Sequence, residues 1–523
     1  MLAFRGAVVQ MPSMGEVNIL PDAAIIVDAS GAIAAIGDGS DIEALCATHG
    51  VPASAVRVLG PQQMLLPGFV DTHIHAPQLP FTGTGTDLPL FDWLNTYTFP
   101  TEAALRDAAR ARDVYSRLVA RTLSLGTTTA AYFTTLHMEP CKGAAHGPPP
   151  SSPNPLTCMH PAMCVIATAN PEVLADIVES VGQRAVIGKV VDYVISKRCP
   201  RLTPAVIPRF PPTCSPAMLA GLGRLAAETG AHVHSHISES RDEVRATAAL
   251  HLGRAGSGGD GTAAGGGGPG AEPEQGRAGN DCGSDGRGAP GGCGGDLEAG
   301  EGGGAAAAEE EFDGSSDVEV FRAAGLLTPG SVFAHGTQLG PAGLAAMAAA
   351  GAAISHCPLS NFYFGDGLLD VARALRAGVT VGLGSDIAGG YSYSMLVAAR
   401  MAVANSHALK AASLSAGGAA RSVAAAAADH VLDWKHALWL ATEGGARALG
   451  LGGPRGPAGA LEPGHAFDAL LIDAGCGAAF DAFEGDELMQ LLEKFVHLGD
   501  DRHIREVFVQ GARAWPPRAP AGS

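Results

Sequence analysis

The sequence contains no apolar run long enough to cross a bilayer as a helix, although 46% of its 523 residues are hydrophobic. It also lacks an excess of basic charge. The formal net charge is -18, which argues against a nucleic-acid partner, because such a partner demands a basic face. The ten cysteines include no C-x-x-C pair, so neither a paired-thiol zinc site nor a redox motif is indicated. The opening residues MLAFRGAVVQ carry one Arg and no convincing cleavage site. They read as a strand rather than a secretion signal, and reduced thiols in the cytoplasm are the expectation. What remains is a chain with enough apolar residues for a sizeable core, as one large domain with a smaller attachment or as several domains.

Two stretches stand apart from any compact core. Residues 254–312 are Gly-, Ala- and acid-rich and read as a disordered, solvated insertion. Residues 138–168, with their Pro clusters, read as an irregular insertion. Cys141, His146, Cys158, His160 and Cys164 lie there at spacings that match no usual zinc pattern. Elsewhere the chain alternates. Short β-rich segments are expected at Leu65–Val70, Gly126–Phe133, Ala185–Val191, Thr203–Ile207, His232–His236, Ser331–His335, Ala352–His356 and Val379–Leu383, with helical segments between most of them. Eight strands alternating with helices predict a parallel (β/α)8 barrel of the TIM type. Between the third and fourth of these strands there is almost no room for a helix. Strands at both chain ends, 1–66 and 456–515, predict a small β-sandwich domain flanking a barrel at 67–455, with a tail at 516–523.

The chemistry gathers at the strand ends. His73 and His75 follow the first barrel strand at spacing two, which in extended chain places both imidazoles on one face. H-x-H alone is equally compatible with a surface loop, but the preceding strand and its Pro67-Gly68 entry favour a metal grip. Arg209, His236, His335, His356 and Asp386 also fall at or just after strand ends. His236 with His73 and His75 gives three nitrogen donors, and Asp386 gives an anionic oxygen. Three His and one carboxylate suit zinc or iron(II) with a position left for water, whose pKa the metal lowers towards neutrality. Spacing alone does not choose among His232, His234 and His236, but only His236 leads into Glu239, a carboxylate placed to move protons. His335 could hydrogen-bond a developing oxyanion, or be a buried structural residue.

Pro67-Gly-Phe-Val-Asp-Thr-His-Ile-His75, His236-Ile-Ser-Glu239, Ala334-His-Gly336 and Gly384-Ser-Asp386 resemble the amidohydrolase superfamily. Asp87–Leu94, Tyr97-Thr-Phe-Pro-Thr-Glu102, Pro208-Arg-Phe210 and Gly384–Met395 are similar, within it, to the guanine deaminase family. The resemblance implies hydrolysis of guanine to xanthine and ammonia on one zinc ion held by His73, His75, His236 and Asp386. Strand four ends in Ile207-Pro-Arg-Phe210, without the Lys that binuclear relatives carboxylate. It further implies that His75, Gln78, Arg209, Phe210, His236, Glu239 and Asp386 contact the purine, with Glu239, Asp386 and His335 catalytic. It also implies a homodimer. Relative to the family, the link 189–201 is shorter by roughly a helix, and Leu359 stands where Asn is usual. Other readings are a deaminase of another aminopurine or aromatic aminoheterocycle, or a catalytically inactive scaffold on the same barrel.

Overall fold

The structure is a computed structural model and describes residues 1–134, 170–254, 314–415, 431–453 and 456–517. The insertion at 138–168, its cysteines and histidines, all but Arg254 of the acidic insertion and most of the tail lie outside the described residues.

Eight parallel strands pair in chain order: Phe69–His75, Thr127–Phe133, Arg184–Gly188, Leu202–Val206, His232–Ile237, Ser331–His335, Ala353–His356 and Thr380–Leu383. Their side chains alternate between two destinations. Ala131, Phe133, Val186, Ala205, Val332 and Ala353 fill the barrel interior. Their neighbours Ala130, Tyr132, Ile187, Val206, Phe333 and Ile354 pack outward against the helices. That period of two, buried on both faces, is what a parallel sheet covered by helices requires. The last strand is drawn against the first by three bonds. Thr72 Oγ1 donates to the Leu383 carbonyl at 2.8 Å, the Asp386 amide to the His73 carbonyl at 2.8 Å, and the His75 amide to the Ile387 carbonyl at 3.1 Å.

The outer helices carry their own start and stop signals. Pro216–Thr229 begins after Ser215, whose hydroxyl accepts from the Met218 amide, and ends at Gly230 in the left-handed region at φ 66. In Ala108–Ser124, Ala111, Val114, Tyr115, Leu118, Val119 and Thr122 form the buried stripe of an amphipathic helix.

Two expectations need correction. The run Leu65–Val70 is not one barrel strand, because the chain changes sheets at Gly68. Gln63–Pro67 pairs with Ala469–Asp473 in the other sheet, and the barrel strand begins at Phe69. At Gly68 a Cβ would come within 2.2 Å of the Thr128 side chain, so the crossing needs glycine. His73 and His75 therefore lie inside a strand rather than beyond its end. The link between strands three and four also has room for a helix. Strand three stops at Gly188, and Val191–Lys197 forms a helix of 7 residues. Lys197 Nζ fastens that helix by ion pairs to Asp176 and Glu179, both at 2.7 Å.

Both chain ends build a second, mixed sheet of eight strands. Ile504–Val509, Ala469–Asp473, Gln63–Pro67, Leu2–Gln10 and Asn18–Val27 lie side by side at its centre. The sheet curls on its own apolar face, so that the Phe4 ring stacks on Phe467 at 5.3 Å and meets the edge of Phe508 at 5.6 Å.

One buried ion pair ties this sheet to the barrel. Arg184, which opens strand three, donates through Nε to Asp468 Oδ2 at 2.9 Å, and Asp468 Oδ1 accepts from the Gln510 amide at 2.6 Å. The side chains are 4% and 2% exposed, so removing either partner strands a charge. Asp468→Ala should destabilise the chain by about 3–5 kcal/mol, whereas Arg184→Met with Asp468→Leu should recover most of that loss. Thermal unfolding of the three proteins checks this, and a double variant no better than Asp468→Ala would refute it.

Candidate metal centre and substrate pocket

Strand one delivers His73 and His75, strand five delivers His236, and the turn after strand eight delivers Asp386. Their ligand atoms converge at the C-terminal mouth of the barrel. His75 Nε2 lies 3.1 Å from both His73 Nε2 and His236 Nε2. Asp386 Oδ1 lies 3.2 Å from the Nε2 atoms of His73 and His75. Donors bonded at zinc distances in a tetrahedron stand about 3.3 Å apart, so the spacing fits a shared cation. The protonation pattern fits as well. His236 Nδ1 sits 2.6 Å from the Arg209 carbonyl, which can only accept, so Nδ1 carries the proton and Nε2 presents a lone pair. Burial pushes His73 down to about 4 and holds His75 and His236 below the usual histidine range, which keeps the rings neutral. Against the upward push of its own burial, the contacts of His73 and His75 hold Asp386 well below the usual carboxylate range.

The structure also separates the three histidines of strand five. His232, His234 and His236 all face inward, as spacing two demands, but at different depths. His236 reaches the mouth. His234 sits one layer lower, with Nε2 2.7 Å from His73 Nδ1. His232 lies lower still, and its neighbour is the Gly330 backbone.

Above the ligand atoms lies a cavity lined by Gln78, Arg209, Phe210, Glu239 and His335, with Leu90, Phe91 and Trp93 on its apolar side. Apolar walls with a few convergent polar groups are the lining of a small-molecule site. Arg209 and Phe210 follow strand four, and Phe210 stands edge-on to His236 at 6.5 Å. Glu239 is buried, which raises its carboxyl above the ordinary range, and nearby Asp386 adds to that shift. His335 Nε2 stands between the carboxylates of Glu239 and Asp386, at 3.7 and 3.8 Å, while its Nδ1 meets Asn361 Oδ1 at 2.9 Å. Gln78 faces the cavity, yet its amide is already engaged: Nε2 donates to Glu102 at 3.1 Å and Oε1 accepts from the Ala388 amide at 3.0 Å. His356 is fully buried below this layer and does not join the cluster.

The family model of the amidohydrolase family matches residues 64–513. The chain belongs to the amidohydrolase family. A guanine deaminase of Mus musculus is 32% identical, over 98% of this chain and 97% of its own length. Among solved structures, a guanine deaminase of C. acetobutylicum with bound guanine superposes with a TM-score of 0.69. It is 23% identical and covers 98% of this chain and 99% of its own. A zinc-bound adenosine deaminase of Xanthomonas campestris has a TM-score of 0.67 and is 22% identical, covering 98% and 92%.

Three residues of this amidohydrolase shape the site from outside the expected set of ligands and substrate contacts. Asp71 accepts from the His73 and Ser385 amides at 3.1 and 3.0 Å and from Ser385 Oγ, fixing the backbone beside two of the converging groups. Its carboxyl is pushed up to about 7 by complete burial. Glu102 binds both Arg209 and Gln78. His234 backs His73. Asp71 and Glu102 lie within distinctive stretches of sequence, but a buried carboxylate that touches only protein leaves no spacing signal. Asp386→Ala should weaken uptake of one divalent ion per chain by at least about tenfold. Competition with a chromogenic chelator measures this, and unaltered affinity would exclude Asp386 from the centre.

Proposed function

We propose that the chain is a guanine deaminase that converts guanine and water to xanthine and ammonia, with one zinc ion held by His73, His75, His236 and Asp386. The observation that carries this reading is the convergence of three neutral imidazoles and a carboxylate beneath a pocket that holds Glu239. Full-length similarity to the mouse guanine deaminase supports the choice of substrate. Zinc bound there would acidify a water molecule and so supply hydroxide for the ring carbon bearing the amino group.

The remaining steps belong to side chains. Glu239, whose carboxyl burial raises above the ordinary range, donates its proton to a ring nitrogen beside the attacked carbon. Asp386 points Oδ1 at the histidines, which leaves Oδ2 to take the water's proton. His335, between the two carboxylates, steadies the negative charge that develops. Arg209 donates to the ring carbonyl oxygen, Phe210 offers its ring to the purine, and Gln78 closes the polar edge of the pocket. Asp386 passes the water's proton to the amino nitrogen, the bond from carbon to this nitrogen breaks as ammonia leaves, and the proton of the added hydroxyl returns to Glu239 as the new carbonyl forms. The family resemblance alone supports a homodimer, and sedimentation would reveal a chain that stays monomeric.

The test is the absorbance change from guanine to xanthine. Glu239→Gln should lower kcat by about 10²–10⁴-fold with metal content unchanged. The sign of the pH effect follows from the raised Glu239 carboxyl: the donating acid is present below its pKa and lost above it. In the wild type kcat/KM should therefore fall as pH rises through that value, and the Gln variant should lack this limb. A wild-type protein that holds zinc but turns over no guanine would overturn the activity, and a fully active Glu239→Gln would overturn the proton donor.

A further inference from the structure

Glu102 lies on the short helix Phe99–Ala104 and is 1% exposed. It does not line the cavity. Arg209 Nη1 donates to its two carboxylate oxygens at 3.2 and 3.1 Å, and Gln78 Nε2 donates to Oε1 at 3.1 Å. The Arg209 guanidinium also lies 5.3 Å over the Phe99 ring, so one turn of helix supplies both its counter-charge and its aromatic bed. Both partners of the Gln78 amide have a single polarity. Glu102 only accepts, and the Ala388 amide only donates, so the amide has one possible orientation.

We propose that Glu102 is a positioning residue for substrate recognition, which fixes Arg209 and Gln78 in the orientation that receives the carbonyl edge of the purine. This rests on the guanine deaminase reading above. Arg209 alone would be a flexible buried cation. Its rotamer freedom would have to be lost on every binding event, and its bare charge would favour anions over a neutral ring. The carboxylate removes both problems in advance. It engages Nη1 and leaves the other N–H groups of the guanidinium for a carbonyl oxygen. The same oxygen that holds Arg209 also holds Gln78, so the two substrate-facing groups move together or not at all.

The test uses the zinc-loaded enzyme. Glu102→Gln should raise the KM for guanine by about tenfold or more, with kcat changed less than about threefold and metal content unchanged. Glu102→Asp, which keeps the charge but retracts it by one methylene, should show the same KM-selective loss to a smaller degree, and carries the test if the Gln variant does not fold. In an Arg209→Met background, Glu102→Gln should lower kcat/KM by clearly less than in the wild type, because only its hold on Gln78 remains. An unchanged KM, or an equal effect in both backgrounds, overturns the proposal. A wild type that binds guanine by calorimetry without converting it refutes the activity but not the positioning, since the same tenfold loss can then be read in Kd. A wild type that neither binds nor converts guanine refutes both.

Discussion

Everything at the barrel mouth depends on one unfavourable convergence. The Nε2 atoms of His73, His75 and His236 and an oxygen of Asp386 are held within 3.1–3.2 Å of one another along the measured edges. His236 Nε2 has no proton to relieve them, because that ring's proton is spent on the Arg209 carbonyl. Lone pairs forced together in a dry site are costly unless a cation sits among them. Donors taken from strands one and five and from the turn after strand eight can be kept there only by a closed barrel. Asp386 and His335 adopt positive φ values of 49° and 75°, a conformation a folded scaffold must impose.

Arg209 is where the metal centre and the pocket become one device. Its carbonyl fixes the tautomer of His236 and also accepts from Ser235 Oγ at 3.2 Å. Its guanidinium, held by Glu102, faces the cavity. The donor proposed to orient a purine and the imidazole proposed to bind a cation are thus referred to the same residue. A shift of strand four would move both together, which preserves the distance between substrate and reactive water better than independent supports could.

Much of this was legible in the sequence, for identifiable reasons. The barrel was readable because eight segments alternate between β-branched runs and helical stretches, and the inward histidines follow from spacing two. Spacing specifies a face but not a depth, so it could not by itself tell His234 from His236; the lead into Glu239 favoured His236, and the end of strand five sets its depth. The exchange of sheets at Gly68 was hidden because Leu65, Leu66, Phe69 and Val70 are equally apolar, although they serve two different sheets. The helix Val191–Lys197 was hidden because Val190 and Val191 extend the β-branched pattern past the true end of strand three. Asp71 and Glu102 were hidden for another reason: their partners are distant in sequence, and a buried carboxylate is explained only by the groups around it.

The short connection before strand four is the feature most expected to disturb substrate recognition, since that strand delivers Arg209. The bonding pattern argues otherwise. Strand four keeps its register with strand three from Ala185–Leu202 to Gly188–Ala205, and with strand five through Ala205–His232 and Val206–Val233. Beyond the strand, Arg209 is held by the His236 amide and imidazole on one side and by Glu102 and Phe99 on the other. None of these partners belongs to the shortened segment. The outer helix of this connection, Val191–Lys197, packs on the barrel's flank, whereas the position of Arg209 is set by main-chain ladders and a buried ion pair. The flank can therefore vary in length while the mouth of the barrel keeps its geometry.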